Sequence, residues 1–506
     1  MTADTQKISQ LISEVRKQRG MTQTDFAERL GTSQSAVNRI ENGKQNLSME
    51  MLGRISDVLN RELLRINQSG TLNFKIEGGR PLSGEVITKT SKNAAVALLA
   101  ASLLNRGTTR LKRMPRIEEV NRLIEVLLSI GVQIKWLEDN DLEIKPPAKL
   151  RLEDMDEESA RKTRSVLLFL APFMHMFGSF TLPYAGGCSL GKRTIQPHLF
   201  ALEEFGLSVN ATRGRYHVSV RRKSPGQVVL YEMGDTVTEN AIMAAAKSNG
   251  QTDIHMASAN YMVQELCYYL VALGVQIEGI GTTRLSIKGR ANINKNVTYY
   301  PSEDPVESML FISIAATTNS SLTIKRCPID FLELELLKLS KMGVKFELSE
   351  RYKADNGQTD LVDIRMLKTD KLTALDEKIH PQPYPGLNID NLPFFVPIAA
   401  RAEGKTLIHD WVYENRAIYF TELAKLGVEM ELLDPHRIHI FGPTKWRRAD
   451  VICPPALRPA VIVLIGMLAA DGTSTLRNIY SIARGYEDLA ERLNALGANI
   501  EILRDI

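Results

Sequence analysis

One phrase recurs six times in this chain of 506 residues: the apolar end of a helix, a glycine, then a short alternating strand. The copies are LLSIGVQIKW, LEEFGLSVNA, LVALGVQIEG, LSKMGVKFEL, LAKLGVEMEL and LNALGANIEI. Their glycines, Gly131, Gly206, Gly274, Gly343, Gly427 and Gly497, are 75, 68, 69, 84 and 70 residues apart. A glycine at a helix C-terminus supplies the left-handed cap, and the alternation after it suits a half-buried strand. Chance does not space six copies so evenly. The pattern dictates a repeat architecture of six helix–strand units rather than one doubly wound sheet. The stretches 94–104 and 461–470 are apolar all round, so they must be buried on every side. The strands of the units then lie outside, against solvent.

The repeats begin only after a polar joint at residues 67–70. Before it, helical periodicity runs from residue 7 to 66 with short polar breaks. Thr22 with Asp25 three residues on is an N-cap arrangement, and Phe26, Ala27 and Leu30 give the following helix one apolar face. Gly31 breaks it. A second short helix is expected from about 34 to 41, capped by Ser33 or Thr32, with Val37 and Ile40 inward and Gln34, Ser35, Asn38 and Arg39 outward. Gly43 ends it, and Ser48 caps a further helix through Met51, Ile55 and Leu59. Helix, glycine turn, then a helix with an outward polar face is the helix-turn-helix layout. The core SQSAVNRIENGK resembles the lambda-repressor/Cro-like family. That resemblance implies that Gln34, Ser35, Asn38 and Arg39 meet base edges, which amide and guanidinium groups can grip in pairs, while Gln23, Asn42 and Lys44 meet phosphates. A single module of this size grips DNA weakly, so a homodimer on two half-sites is expected.

Composition sets outer limits. With 63 basic and 59 acidic residues the net charge of +4 is too small to require a nucleic-acid partner by itself. Four cysteines, Cys188, Cys267, Cys327 and Cys453, lack metal-ligand spacing and suit a reducing compartment. No metal and no cofactor are expected. The first ten residues hold no apolar signal-peptide core, and the longest apolar runs are too short for a bilayer. A cytoplasmic location is the expectation.

A glycine-rich loop at 182–193, LPYAGGCSLGKR, places Cys188 just ahead of Lys192 and Arg193. Nearby cations lower a thiol's pKa and raise its reactivity, and the glycines let a small anion approach the main chain. Cys188 is therefore a candidate reactive thiol beside an anion site. Lys92 opens a buried helix, where free backbone N–H groups also favour an anion.

The repeats, together with GEVITKTSKNAA, GGCSLGKR, YPGLNIDNLPFF, VYENR and IARGYEDL, resemble the enolpyruvyl transferase family across residues 71–506. The implied fold is α/β: two lobes of three units each, an inside-out α/β barrel, preceded by a small all-α helix-turn-helix domain at 1–68. Lobe one is expected at about 92–301, and lobe two at about 71–91 plus 302–506, with crossings near Lys92 and Pro301 forming the hinge. The implied activity is transfer of the enolpyruvyl group of phosphoenolpyruvate to a hydroxyl, with release of phosphate. UDP-N-acetylglucosamine, a peptidoglycan precursor, is the default acceptor. Such chemistry needs cations for a phosphate and a carboxylate, an acid for the methylene carbon and a base for the hydroxyl. By resemblance Cys188 protonates the methylene carbon and Asp304 takes the hydroxyl proton, with Asp390 a second acid at the cleft. Lys92, Arg164, Arg193 and Arg416 surround phosphoenolpyruvate, and Asn93 meets the acceptor.

The chain departs from that family on the acceptor side. Two residues separate proline from GGC in PYAGGC. Thr194, Ile195 and Gln196 follow Arg193. Glu232, Met233, Gly234, Asp235 and Thr236 stand where a lysine and a Ser-Val-Gly are usual, and Asn391, Leu392, Pro393 and Phe394 follow Asp390. Two other readings stay open: transfer to a different, nucleotide-like acceptor, and a transcription regulator whose transferase region senses a ligand.

Overall fold

The computed structural model describes residues 3–43, 51, 54–55, 58–59, 72–186, 194–212 and 214–504. Cys188, Lys192, Arg193, Lys44 and Ser48 lie outside these residues.

The N-terminal module is helical as its caps dictate. Helix α1 spans Ala3–Gln18, α2 Gln23–Leu30 and α3 Gln34–Glu41. Thr22 and Asp25 form a reciprocal capping box on α2, which Gly31 ends at φ 63°. The Ser33 hydroxyl accepts from Ala36 N to start α3. Phe26, Leu30, Val37 and Ile40 pack with Ile12, Val15, Ile55 and Leu59 into a core separate from that of the rest of the chain. Each such side chain taken out of water is worth about 1.5–3 kcal/mol.

The remainder is built from six sheets, three in each lobe. In lobe one they are formed by strands at 109–111, 133–136, 142–145 and 297–299; at 179–183, 207–212 and 215–220; and at 227–229, 251–255, 276–278 and 284–288. In lobe two they comprise strands at 83–87, 321–328, 346–348 and 360–366, with a short strand at 352–353 pairing the last; at 404–409, 429–434 and 437–442; and at 72–78, 450–452, 472–477 and 499–504. All six repeat glycines adopt left-handed φ values, from 91° to 98°, and each precedes one of these strands.

Strand β1, Leu72–Gly78, pairs antiparallel with Gly472–Arg477 and Asn499–Arg504. Strand β2, Ser83–Ile87, pairs parallel with Ser321–Pro328. The segment 72–87 therefore sits among the C-terminal sheets. The two crossings run side by side: Thr90 bridges Glu303, Ser91 N donates to Ser302 O at 3.0 Å, and Asp304 N to Lys89 O at 2.8 Å.

The sheets wrap helices that are largely buried, three of them on every face. Helices α4 (Lys92–Ser102), α5 (Glu118–Ser129), α6 (Asp235–Ala246) and α7 (Tyr261–Ala272) belong to the first lobe; α8 (Pro305–Thr318) and α9 (Leu457–Ala469) belong to the second. Residues 94–102, 305–317 and 458–468 are all buried. No helix among the described residues is long and apolar enough to cross a membrane.

Candidate active site

A cleft of about 980 Å³ is lined by residues of both lobes. The N-termini of four of these buried helices line it, represented by Lys92 and Asn93 of α4, Gly234 and Asp235 at α6, Asn260 ahead of α7, and Leu457 and Arg458 of α9. Unsatisfied N–H groups and helix dipoles make each such end favourable to an anion. Buried helices starting at the lobe junction thus turn the repeat architecture into a site.

The floor is set by Lys92. Ser91 caps α4 through its hydroxyl, which accepts from Ala94 N at 3.2 Å. Lys92 Nζ pairs with Glu119 Oε2 at 2.9 Å, and Arg484 lies 3.8 Å from the same oxygen. The Ser165 hydroxyl donates to Glu119 Oε1 at 2.9 Å. Burial opposes ionisation of Glu119, but Lys92, Arg484 and these bonds outweigh it and hold the carboxyl at about 2. Two cations share one carboxylate, which leaves positive charge facing the cleft.

Opposite stands Asp390, its side chain 24 % exposed, 3.4 Å from Arg458 and 3.8 Å from Arg416. Arg416 is itself buried. It bonds Asp410, donates to Ile389 O at 2.7 Å and stacks 4.3 Å from the Tyr413 ring centroid. Arg458 bonds the Tyr486 hydroxyl. Asn93 donates to the Tyr261 hydroxyl at 3.0 Å, and Arg164 to Thr194 O at 2.8 Å.

Asp304 lies beside Lys92 and Arg458. It is the N-cap of α8: Oδ1 accepts from Val306 N at 2.9 Å and Oδ2 from Lys92 N at 3.4 Å. It lines a smaller cavity that shares Lys92, Arg458 and Gly485 with the main cleft. Burial pushes its carboxyl up to about 6, against the pull of Arg458. Lys92, Asn93, Arg164, Asp390 and Arg416 are brought together in the main cleft; Cys188 and Arg193 lie outside the described residues.

The acceptor-side departures also line the cleft. Glu232 is exposed, and Asp235 accepts from the Ser258 hydroxyl at 2.6 Å and Asn260 at 3.3 Å. Asp235 and Glu239 are both shifted upward, mainly by burial. Burial and then Arg164 hold His198 neutral, at about 3.

Sequence reasoning missed Glu119, Arg458 and Arg484 as site residues. Arg484 was within reach, since it lies inside the quoted phrase IARGYEDL. Glu119 and Arg458 had no signal: an acid in a first helical turn and an arginine before an apolar helix are commonplace.

With this geometry in view, the matches to known proteins are decisive. Residues 76–493 match the EPSP synthase (3-phosphoshikimate 1-carboxyvinyltransferase) family. The chain belongs to that family of enolpyruvyl transferases. Residues 12–66 match a helix-turn-helix family. The UDP-N-acetylglucosamine 1-carboxyvinyltransferase of Bradyrhizobium diazoefficiens is 33 % identical over 436 residues, 85 % of this chain and 98 % of that protein. The Treponema denticola enzyme of the same name is 32 % identical over 432 residues, 85 % and 99 % of the two chains. Among solved structures, the enolpyruvyl transferase NikO from Streptomyces tendae aligns with a TM-score of 0.75 at 24 % identity, covering 86 % of this chain and 99 % of that one. EPSP synthase from Acinetobacter baumannii aligns at 0.66 and 18 % identity, covering 86 % and 100 %. These two likenesses establish the enolpyruvyl transferase fold.

The helix-turn-helix match gives the module's outward face its meaning. Gln34, Ser35, Asn38 and Arg39 are all exposed on α3. Gln34 Nε2 donates to Gln23 Oε1 at 2.7 Å, and Gln23 Nε2 to Glu41 Oε2 at 2.8 Å. Glu41 is fixed in turn by Arg16 of α1, whose Nη2 donates to Oε2 at 2.9 Å. A chain of side-chain bonds thus orients the start of α3 from the scaffold. Asn42 donates to Asn38 O at 2.8 Å at the other end.

Proposed function

We propose that the chain transfers the enolpyruvyl group of phosphoenolpyruvate to a hydroxyl of UDP-N-acetylglucosamine, releasing phosphate, and that its N-terminal module binds DNA. The observation that carries the first part is the sharing of one carboxylate, Glu119, by Lys92 and Arg484 at a helix N-terminus. That arrangement suits a small polyanion. Lys92, Arg484, Arg164 and Arg193 hold its phosphate and carboxylate, Arg416 and Arg458 hold Asp390, and Asn93 meets the acceptor.

In the reaction the acceptor oxygen bonds to C2 of phosphoenolpyruvate while a proton adds to C3. Phosphate then leaves C2 and C3 gives the proton back, restoring the vinyl group. Cys188 supplies the C3 proton. Asp304, its carboxyl raised to about 6 by burial, takes the hydroxyl proton, and Asp390, held by Arg416 and Arg458, is a second acid at the cleft. Closing the lobes excludes water from the intermediate. No metal or cofactor takes part.

In the module, Gln34, Ser35, Asn38 and Arg39 read bases, and Gln23, Asn42 and Lys44 hold phosphates. A homodimer would place two α3 helices on two half-sites. Phosphoenolpyruvate and DNA meet in the cytoplasm, where we place the protein.

One observation favours a second acceptor. Glu232 and Asp235 put carboxylates on the cleft wall, and two like charges about 4 Å apart repel by about 1 kcal/mol in water and about 4 near a protein surface. A less anionic, nucleotide-like acceptor avoids that repulsion. The test of both is mass spectrometry of acceptors incubated with the protein and phosphoenolpyruvate. An enolpyruvyl adduct of UDP-N-acetylglucosamine supports the first reading, and an adduct of another acceptor alone supports the second. Tight phosphoenolpyruvate binding without any adduct would leave a ligand-sensing regulator.

A further inference from the structure

The helix-turn-helix module is seated on the outer face of α5, the helix that carries Glu119 into the cleft. Arg19, in the turn after α1, lies 3.8 Å from Glu118 Oε1 and 3.7 Å from Glu125 Oε1. Glu118 and Glu125 are two turns apart and so share one face of the helix. Both are buried, 7 % and 5 % exposed. Beside this contact Gly20 is left-handed, at φ 68°, and a Cβ there would lie 2.9 Å from Trp136 Cβ. The backbone of the module therefore touches the edge strand of the first lobe directly.

Consecutive residues of α5 face opposite ways. Glu118 meets the module, and Glu119 meets Lys92, Thr163, Ser165 and Arg484 in the cleft. Ile117, the N-cap of α5, offers no side-chain cap bond, so the first turn is held by its two flanks rather than by its own cap. The module side is incompletely bonded. Arg122 lies 3.2 Å from Glu118 Oε2 and donates to Glu125 Oε2 at 3.0 Å, but Glu118 Oε1 and Glu125 Oε1, the oxygens that face Arg19, are buried without a hydrogen-bond partner among the described residues. Buried polar atoms in this condition favour any shift that satisfies them.

We propose that the seat of the helix-turn-helix module on α5 and the anion site at Lys92 are coupled, each stabilising the other through the first turn of α5. Seating the module fixes Glu118, and the same turn then presents Glu119 to Lys92 and Arg484. Filling the cleft with an anion fixes Glu119 and tightens the seat. The effect is reciprocal, as any linkage between two binding equilibria must be. Gln34, Ser35, Asn38 and Arg39 are exposed while the module is seated, so the seat leaves the DNA-reading face accessible. The dependence on phosphoenolpyruvate rests on the reading given under Proposed function.

The test is a charge reversal in the full chain, with phosphoenolpyruvate as the probe. Arg19→Glu sets a third carboxylate against Glu118 and Glu125, and Arg19 lies outside the module's apolar core. Titration calorimetry should show phosphoenolpyruvate bound at least about fivefold more weakly by Arg19→Glu, the low end of ordinary coupling between sites. Arg19→Glu with Glu118→Arg, which re-forms one pair in the opposite sense, should recover most of the loss. Hydrogen exchange at residues 118–125 should rise in Arg19→Glu and fall again in the double variant. Equal affinity of wild type and Arg19→Glu, unchanged exchange, or a double variant no better than the single one overturns the coupling. Failure of the wild type to bind phosphoenolpyruvate counts against the proposed reaction instead, and the exchange measurement still decides the seat.

Discussion

Lys92 Nζ lies 2.9 Å from Glu119 Oε2, joining the helix that opens the cleft to the helix that seats the helix-turn-helix module. Removing the acid leaves a cation in a site where only 18 % of its side chain is exposed. Glu119→Gln should therefore lower stability at pH 7 by about 3 kcal/mol, the cost of breaking such a pair near the interior. The folded carboxyl is held at about 2, below its ordinary 4.5. Its contribution is thus present above pH 4.5 and lost as pH falls from there towards 2. Urea unfolding of both proteins at pH 7 and pH 3 checks this; an equal gap at the two pH values would contradict it.

Glu265 of α7 titrates in the opposite sense. It accepts from the Tyr299 hydroxyl at 2.9 Å, Ser302 N at 3.2 Å and Asn356 at 2.6 Å, tying the first lobe to a crossing and to a loop of the second. Burial pushes its carboxyl up to about 7 despite those bonds. The folded state then holds a proton that the unfolded chain releases near 4.5, so stability falls as pH rises from about 4.5 through 7. Thermal unfolding should show the wild type losing stability between pH 5.5 and 8, and Glu265→Gln losing less.

Much of this was legible beforehand. The six glycines announced the six units because only a left-handed cap followed by a strand explains that phrase, and every one of them is left-handed. Thr22, Asp25 and Ser33 marked the module's helices because caps act locally. The site was harder. Asp304 and Asp390 each sit in a conspicuous phrase, but only the fold shows that Asp304 also caps α8 and that Asp390 lies between Arg416 and Arg458. The partners of Lys92 come from α5 and from the segment at 484, so only the fold brings them together. Nothing in the sequence placed the module on α5.

On the module, Arg39→Ala and Gln34→Ala should each cost roughly 1–3 kcal/mol of discrimination between a selected site and random DNA. Binding-site selection followed by titration with both variants is the check. Unchanged preference would show that α3 does not read bases.

Among the cysteines, the thiols of Cys267, Cys327 and Cys453 are buried and pushed up by that burial. Thiolate is the nucleophile, so the epoxide fosfomycin should label Cys188 alone. Intact-protein mass spectrometry should show one adduct, absent from Cys188→Ala. An adduct on one of the buried three would remove Cys188 from its proposed role.

In the proposed reaction phosphoenolpyruvate passes its enolpyruvyl group to the acceptor in the cleft and phosphate is set free. Phosphate release, measured with phosphoenolpyruvate and UDP-N-acetylglucosamine together and separately, tests that most directly. The wild type should release one phosphate for each acceptor consumed and none without acceptor, and Asp304→Asn should slow release by about 10²–10⁴-fold, the usual worth of a general base. No acceptor-dependent release by the wild type, or an undiminished rate in Asp304→Asn, would contradict this.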